Sequence, residues 1–263
     1  MSDGTRKPAT IVADGREVRA EAGSSLLSAL IREGIQVPAL CHHEAVRPYG
    51  ACRLCLVEVR QRGWKPGWSR LTTSCDFPVM DGLEISTATE KVLRHRRVVM
   101  ELILARAPAS PVIVRMAEGM GIDASTRFRR QEGEACMLCG LCARVCSEVV
   151  GAHAITFWGR GGGKDVGTPF PAESGTCIGC GACDAVCPTG AVGMRDEGGR
   201  RCFAKWRSEH ALVVCRTCGR VVGTRKQIEW ARERGRADDD VLATCPDCRR
   251  DRYAKVIAAE GHM

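Results

Sequence analysis

An α+β chain of several small domains, each built around bound metal, is what this sequence predicts. Three observations predict it. Seventeen cysteines occur in 263 residues, and all but Cys202 fall into recognisable sets of four. Hairpin, helix and strand signals follow one another over short distances. Aromatic residues make up only 5% of the chain, whereas large side chains normally supply much of a core's buried area. Small domains with thin cores often need a metal to fold, so the metal centres are expected to serve as part of the core.

The first segment, residues 1–87, opens with Thr10-Ile11-Val12-Ala13 and Arg16-Glu17-Val18-Arg19-Ala20 flanking Asp14-Gly15, a strong two-residue hairpin signal. Ser24 to Gly34 predicts a helix, with serine at its start and glycine past its end. Cys41, Cys52, Cys55 and Cys75 follow. Leu54 to Arg60 alternates as a strand does, and Leu83 to Thr87 supplies a final strand. Hairpin, helix, cysteine loop and strands in this order suit a β-grasp domain, and four cysteines in that frame point to a [2Fe–2S] cluster. The spacing Cys41-x10-Cys52-x2-Cys55-x19-Cys75 differs from the plant-type pattern. Trp64 and Trp68 lie in the loop before Cys75, where a partner contact and local packing are both open readings.

Residues 88–130 read as a helical linker. Thr87-Ala88-Thr89-Glu90 has the capping-box pattern, and Val92, Val98, Val99, Leu102 and Ile103 recur at helical spacing. Pro108 and Pro111 end that helix, and a second apolar stretch runs from Pro111 to Met120, closing at Gly121.

Residues 131–198 carry an internal repeat. Cys136-Met137-Leu138-Cys139-Gly140-Leu141-Cys142-Ala143-Arg144-Val145-Cys146 matches Cys177-Ile178-Gly179-Cys180-Gly181-Ala182-Cys183-Asp184-Ala185-Val186-Cys187. C-x2-C-x2-C-x3-C followed by proline is the bacterial 2×[4Fe–4S] ferredoxin run, in which the fourth cysteine serves the other cluster. Cluster A is therefore assigned to Cys136, Cys139, Cys142 and Cys187, and cluster B to Cys146, Cys177, Cys180 and Cys183. Pro188 follows the second run, while Ser147 stands at that place in the first. Gly140, Gly179 and Gly181 let the backbone approach the clusters and aim its N–H groups at sulfur.

Residues 199–263 hold Cys215-x2-Cys218 and Cys245-x2-Cys248 around a charged helical stretch, Arg225 to Arg236. Two such knuckles predict a small zinc-ribbon-like module, because four thiolates suit tetrahedral zinc. A further Fe–S cluster or mononuclear iron are the alternatives for the same ligands. Cys202 is expected to be a buried, inert thiol.

Gly159 to Asp165 is not a phosphate-binding loop, since no Ser or Thr follows Lys164 in frame; a turn between strands is expected. His42 and His43 adjoin a cluster ligand and are expected to hydrogen-bond near it. No Rossmann fingerprint occurs, so NAD is not expected on this chain. The start, Met1 to Lys7, has no apolar signal-peptide core, and no run of about 18 apolar residues suggests a membrane span. Metal-loaded thiols in the cytoplasm are expected, not disulfides.

The formal charge of +8 treats the cysteines as neutral. A four-thiolate cluster contributes roughly −2, so three clusters and a four-thiolate zinc site bring about −8. The basic residues then compensate buried anionic centres, and no nucleic-acid partner is expected.

Val37-Pro38-Ala39-Leu40-Cys41-His42-His43 and Gly50 to Val59 resemble the N-terminus of the complex I large iron–sulfur subunit. They are equally similar to the small diaphorase subunit of NAD-reducing hydrogenases and to the N-terminal regions of [FeFe]-hydrogenase and formate dehydrogenase large subunits. The resemblance covers residues 8–198 and implies that Cys41, Cys52, Cys55 and Cys75 hold [2Fe–2S]. It further implies a non-catalytic electron-relay subunit of a multi-subunit NAD(P)-linked oxidoreductase. FMN and NAD(P) would sit on a diaphorase-type partner, and a further redox subunit would complete the relay. Ferredoxin is a candidate exchange partner, as in an electron-bifurcating complex. Such relatives carry a His-plus-three-cysteine [4Fe–4S] site in the linker; no cysteine occurs here between Cys75 and Cys136, so that cluster is expected to be absent. A self-contained hydrogenase is disfavoured because only the zinc-like module follows Cys187. A redox- or metal-sensing protein that binds nucleic acid is the alternative.

Overall fold

The computed structural model describes residues 7–123, 127–168, 174–235 and 238–260. They form two compact units, residues 1–141 with 188–191, and residues 142–187 with 192–263.

The first unit is built on a five-stranded sheet in the order β2-β1-β5-β3-β4. Strands β1 (Pro8–Ala13) and β2 (Arg16–Glu21) pair antiparallel through the expected Asp14-Gly15 turn. Both turn residues take positive φ, 48° and 80°, which is the two-residue hairpin geometry that matches strand twist. β1 alternates exposed and buried positions along its length, so one face of the hairpin enters the core. The helix α1 (Leu26–Arg32) buries Leu26, Leu27, Ala29 and Leu30. The Ser25 hydroxyl caps it by accepting from the Ser28 N–H, and Gly34 leaves it with φ 72°.

Strand β3 (Leu56–Gln61) starts two residues later than the alternation suggests. Leu54 and Cys55 belong instead to the cysteine loop, and the Cys55 carbonyl accepts from the Ser74 N–H at 2.9 Å. Strand β4 (Arg70–Thr73) had no sequence signal; it is four residues long and exists by pairing with β3. Strand β5 (Leu83–Ser86) lies parallel to β1 and antiparallel to β3. Ile11, Val18, Leu30, Val57, Val59, Leu83 and Ile85 form one core with Cys55 and Cys75 inside it. Trp64 packs against that core and meets Trp68 edge to face at 4.5 Å, while Trp68 is half exposed.

Helix α2 (Glu90–Arg106) is capped by Thr89, two residues after the threonine that opens the capping-box pattern. Thr87 is otherwise engaged: its N–H and hydroxyl both donate to the Asp14 carboxylate, at 2.8 and 2.6 Å. Helix α3 (Pro111–Gly119) carries its proline at the first turn, where a missing N–H is harmless.

Helix α4 (Leu141–Arg144), in the second unit from Cys142 on, passes into a π-helical turn, Val145–Val150, that ends at Gly151 with φ 78°. In the other half of the repeat α5 (Ala182–Ala185) stops before Cys187-Pro188. Proline cannot continue a helix and serine can, so the Ser147/Pro188 difference lets only the first half run on. Strands β6 (Thr156–Trp158) and β7 (Asp165–Gly167) form the hairpin expected around the glycine run. Gly159 is needed there, since a Cβ would lie 2.3 Å from the Gly163 carbonyl oxygen.

A four-stranded antiparallel sheet follows, ordered β11-β10-β9-β8. It comprises β8 (Met194–Glu197), β9 (Arg200–Phe203), β10 (Ser208–Val214) and β11 (Val221–Thr224). The segment break suggested at 198/199 falls in the Gly198-Gly199 turn between β8 and β9. Helices α6 (Arg225–Glu233), α7 (Asp239–Leu242) and α8 (Pro246–Glu260) complete the described chain. Arg236 at the end of the expected charged helix lies outside the described residues. Cys202 on β9 is half-buried, not buried as expected.

The Glu58 carboxylate on β3 accepts from Ser69, from the Thr89 hydroxyl at 2.8 Å and from Lys91 at 3.3 Å. These donors, Ser69 first, hold its pKa below the ordinary value. Thr89→Ala removes both the helix cap and one of these bonds, and should cost roughly 1–2 kcal/mol, with Thr89→Ser restoring most of it in denaturant unfolding. The Glu58 contribution should be complete above about pH 4.3 and be lost as pH falls through the depressed value.

Candidate metal centres

All seventeen cysteines are free thiols, and sixteen belong to the four sets read from the spacing. In the first unit Cys41, Cys52, Cys55 and Cys75 are each at most 5% exposed. Cys52 accepts from the Cys41 thiol and is lowered to about 5, while Cys41 is pushed up by the same contact. Cys55 is likewise lowered to about 7 by Cys75, which rises in turn. The sulfurs thus meet in two neighbouring pairs.

Arg53 lies between Cys52 and Cys55 with φ 59°, a left-handed conformation costing a side-chain-bearing residue roughly 1–2 kcal/mol. That conformation turns the loop around the sulfurs. Behind it, the buried Arg96 of α2 donates from Nε to the Leu56 carbonyl at 3.1 Å. Burial lowers the Arg96 pKa, and the charges of Cys55 and Asp14 oppose that. Neither Arg53 nor Arg96 carries a sequence signal; Arg96 lies 41 positions from Cys55 and arrives through the packing of α2 on β3.

Cys136 and Cys139 lie buried in the first unit; buried Cys142 and half-buried Cys187 belong to the second. The repeat is visible in the backbone. Leu138 (φ 59°) and Gly140 (φ 74°) match Gly179 (φ 66°) and Gly181 (φ 83°), position for position. Sequence reading identified the three glycines and missed Leu138, which adopts the same turn despite its side chain.

Cys146, Cys177, Cys180 and Cys183 line one cavity in the second unit, closed by Ile178, Ala154, Ile155 and Phe203. The Ala154 N–H donates to the Cys146 sulfur at 3.3 Å. Burial pushes Cys183 up to about 12, and a hydrogen bond from the indole of Trp206, at 3.4 Å, works against that rise. Four sulfurs facing an apolar cavity suit a bound cluster: soft donors surround a void that no protein atom fills. The loop is clamped from the sheet. Arg201 donates to the Gly179 carbonyl at 3.2 Å while holding Asp196 with two bonds of 2.8 Å. The Thr224 hydroxyl donates to the Ile178 carbonyl.

The last set is more compact. Cys215, Cys218, Cys245 and Cys248 place their sulfurs within 4.8 Å of one another. Cys218 and Cys245 are 3.6 Å apart, against about 3.8 Å for the edge of a tetrahedron with 2.3 Å metal–sulfur bonds. One pair sits on the turn between β10 and β11; the other sits at the start of α8. Arg220, two residues past Cys218, donates to the Cys218 sulfur at 3.4 Å, to the Cys245 sulfur at 3.5 Å and to Asp247 at 2.6 Å. Its guanidinium lowers the Cys218 pKa. Donors from the Cys245 and Thr217 backbone bring Cys215 down to about 6.

Comparison with protein families places residues 6–90 in the 2Fe-2S iron-sulfur cluster binding domain and residues 135–191 in the 4Fe-4S dicluster domain. The chain carries two iron–sulfur cluster binding domains. It is 30% identical over 252 residues to the NADPH-Fe(3+) oxidoreductase subunit alpha of Geobacter sulfurreducens, covering 87% of this chain and 28% of the relative. It is 27% identical over 257 residues to the mitochondrial NADH-ubiquinone oxidoreductase 78 kDa subunit of Candida albicans, covering 88% of this chain and 35% of that protein. The chain therefore spans only 28–35% of the length of these relatives. In fold it is similar to a chain in the crystal structure of an NAD+-reducing [NiFe]-hydrogenase in the H2-reduced state, with a TM-score of 0.52, 20% identity, and coverage of 90% and 99% of the two chains. Among the described residues no helix is long and apolar enough to cross a membrane.

Gly179→Ala tests the cavity. The residue has φ +66°, and a Cβ would stand 2.6 Å from the buried His210 ring. The variant should lose up to about four irons per chain in a colorimetric iron assay. Gly162→Ala, whose Cβ meets nothing within 4 Å, should keep them all.

Proposed function

We propose that this chain is an iron–sulfur electron-relay subunit of a multi-subunit NAD(P)-linked oxidoreductase. The observation that carries the reading is the presence, in order on one chain, of the two cluster domains, within alignments to oxidoreductase subunits that cover 87–88% of it. Cys41, Cys52, Cys55 and Cys75 would hold a [2Fe–2S] cluster. Cys136, Cys139, Cys142 and Cys187 would hold one [4Fe–4S] cluster, and Cys146, Cys177, Cys180 and Cys183 the other. Bound there, these groups supply one-electron chemistry.

The chain's own residues set the conditions for it. Burial of the sulfurs keeps water away, and backbone N–H groups aimed by the left-handed turns offset their charge. The linker has no cysteine, so no further cluster is assigned between residues 88 and 130. The 3.6 Å sulfur contact and convergence on a single point support one zinc ion at Cys215, Cys218, Cys245 and Cys248 over a further cluster. A flavin-carrying, NAD(P)-binding partner and a second redox subunit are the proposed neighbours, in the cytoplasm, with ferredoxin as a further exchange partner.

Metal analysis of the anaerobically purified chain should give about ten irons and one zinc. About four further irons would overturn the omission of a linker cluster, and a zinc-free protein would overturn the C-terminal assignment. Affinity purification under native conditions should bring down a flavin-containing subunit. Recovery of the chain alone, with salt-sensitive DNA binding, would replace the relay with the sensor reading.

A further inference from the structure

Trp206 lies outside both family matches, which end at residues 90 and 191, yet its indole reaches Cys183, one of the cysteines that line the cavity of the second unit. Its side chain is 4% exposed, and Nε1–H donates to the Cys183 sulfur at 3.4 Å. The contact is built rather than incidental. Trp206 sits on the turn between β9 and β10, and the two residues before it are tied down. The Ala204 N–H donates to the Gly193 carbonyl at 3.3 Å, and the Lys205 N–H donates to the Val192 carbonyl at 3.2 Å. The Lys205 ammonium pairs with Asp165 of β7 at 2.9 Å. Gly167, on the same strand, lies beside the indole: a Cβ there would stand 3.7 Å from the ring, an ordinary contact. The strands on either side of the turn carry the other clamps on this loop, Arg201 on β9 at the Gly179 carbonyl and His210 on β10 against Gly179.

We infer that Trp206 is a positioning residue of the relay: its indole N–H, hydrogen-bonded to Cys183, raises the reduction potential of the [4Fe–4S] cluster held by Cys146, Cys177, Cys180 and Cys183. This rests on the cluster assignment above. The sign follows from charge. A hydrogen bond to a cluster sulfur is stronger when that sulfur carries more negative charge. One added electron increases that charge; the indole proton stays on nitrogen, no bond breaks, and the hydrogen bond tightens. The reduced state is therefore stabilised more than the oxidised one. The burial of Trp206 adds to the effect by keeping water from competing for the sulfur. The C-terminal segment thereby acts on electron transfer itself: it supplies the donor that places one cluster above where the ferredoxin loop alone would leave it.

The test uses the full-length holo-protein in a dithionite titration followed by electron paramagnetic resonance. Trp206→Phe keeps the ring and removes the N–H. One four-iron signal should move to lower potential, with the other and the two-iron signal unchanged, and with iron content equal to wild type. An unmoved potential in a fully loaded variant overturns the inference. Should the variant not load, wild-type protein grown with indole-15N tryptophan decides: pulsed resonance on the reduced four-iron clusters should show a nitrogen coupling, and its absence overturns the inference. Cys183→Ser separates this from the underlying assignment. If that variant retains both four-iron clusters unchanged, the assignment of Cys183 fails and the inference with it.

Discussion

Negative charge gathered on neighbouring sulfur atoms is the constraint around which this molecule is arranged. Thiols brought together in fours cannot all ionise in an apolar interior unless donors, cations or metal offset the charge. Three of the four sets show that compensation. Cys52 and Cys55 fall to about 5 and 7 only because partner thiols and backbone N–H groups donate to them. Arg220 spans two sulfurs of the last set. Arg53, Leu138, Gly179 and Gly181 take left-handed conformations in the cysteine loops, and a loop that wrapped a cluster would need such turns to aim its N–H groups inward.

The same constraint explains the composition. A chain with so few aromatic side chains still closes a core in its first unit, and Cys55 and Cys75 lie within that core beside Val57, Val59 and Leu83. Three of the basic residues lie near the cysteine loops: Arg96 is buried behind the first loop, Arg201 clamps the Gly179 carbonyl, and Arg220 clamps the last site.

The C-terminal segment is part of the same folding unit as the second half of the ferredoxin repeat. Thr224 at the end of β11 holds the Ile178 carbonyl, and Cys215 and Cys218 lie on the turn just before that strand. Metal at the compact four-cysteine site would therefore stiffen the hairpin whose far end grips the cluster loop. A module that sequence separates from the ferredoxin repeat is joined to it by hydrogen bonds.

Much of the site was legible in the linear order of residues. Cysteine spacing, the tandem repeat, the Asp14-Gly15 hairpin and the helix near Ser25 are local signals, because each depends on contacts within a few residues. Spacing also separated sixteen ligand candidates from Cys202. The capping-box pattern was misleading in detail for a non-local reason: Thr87 bonds Asp14, 73 positions away, and Thr89 takes the cap. Strand β4, the buried guanidinium of Arg96 and the indole of Trp206 were invisible for the same reason. Which cysteines are candidate metal ligands was determined by sequence alone, since chelating loops are short and their spacing is their geometry. Which donors tune those ligands was decided only by tertiary structure, since a hydrogen bond to sulfur needs an atom within about 3.5 Å and no particular place in the chain.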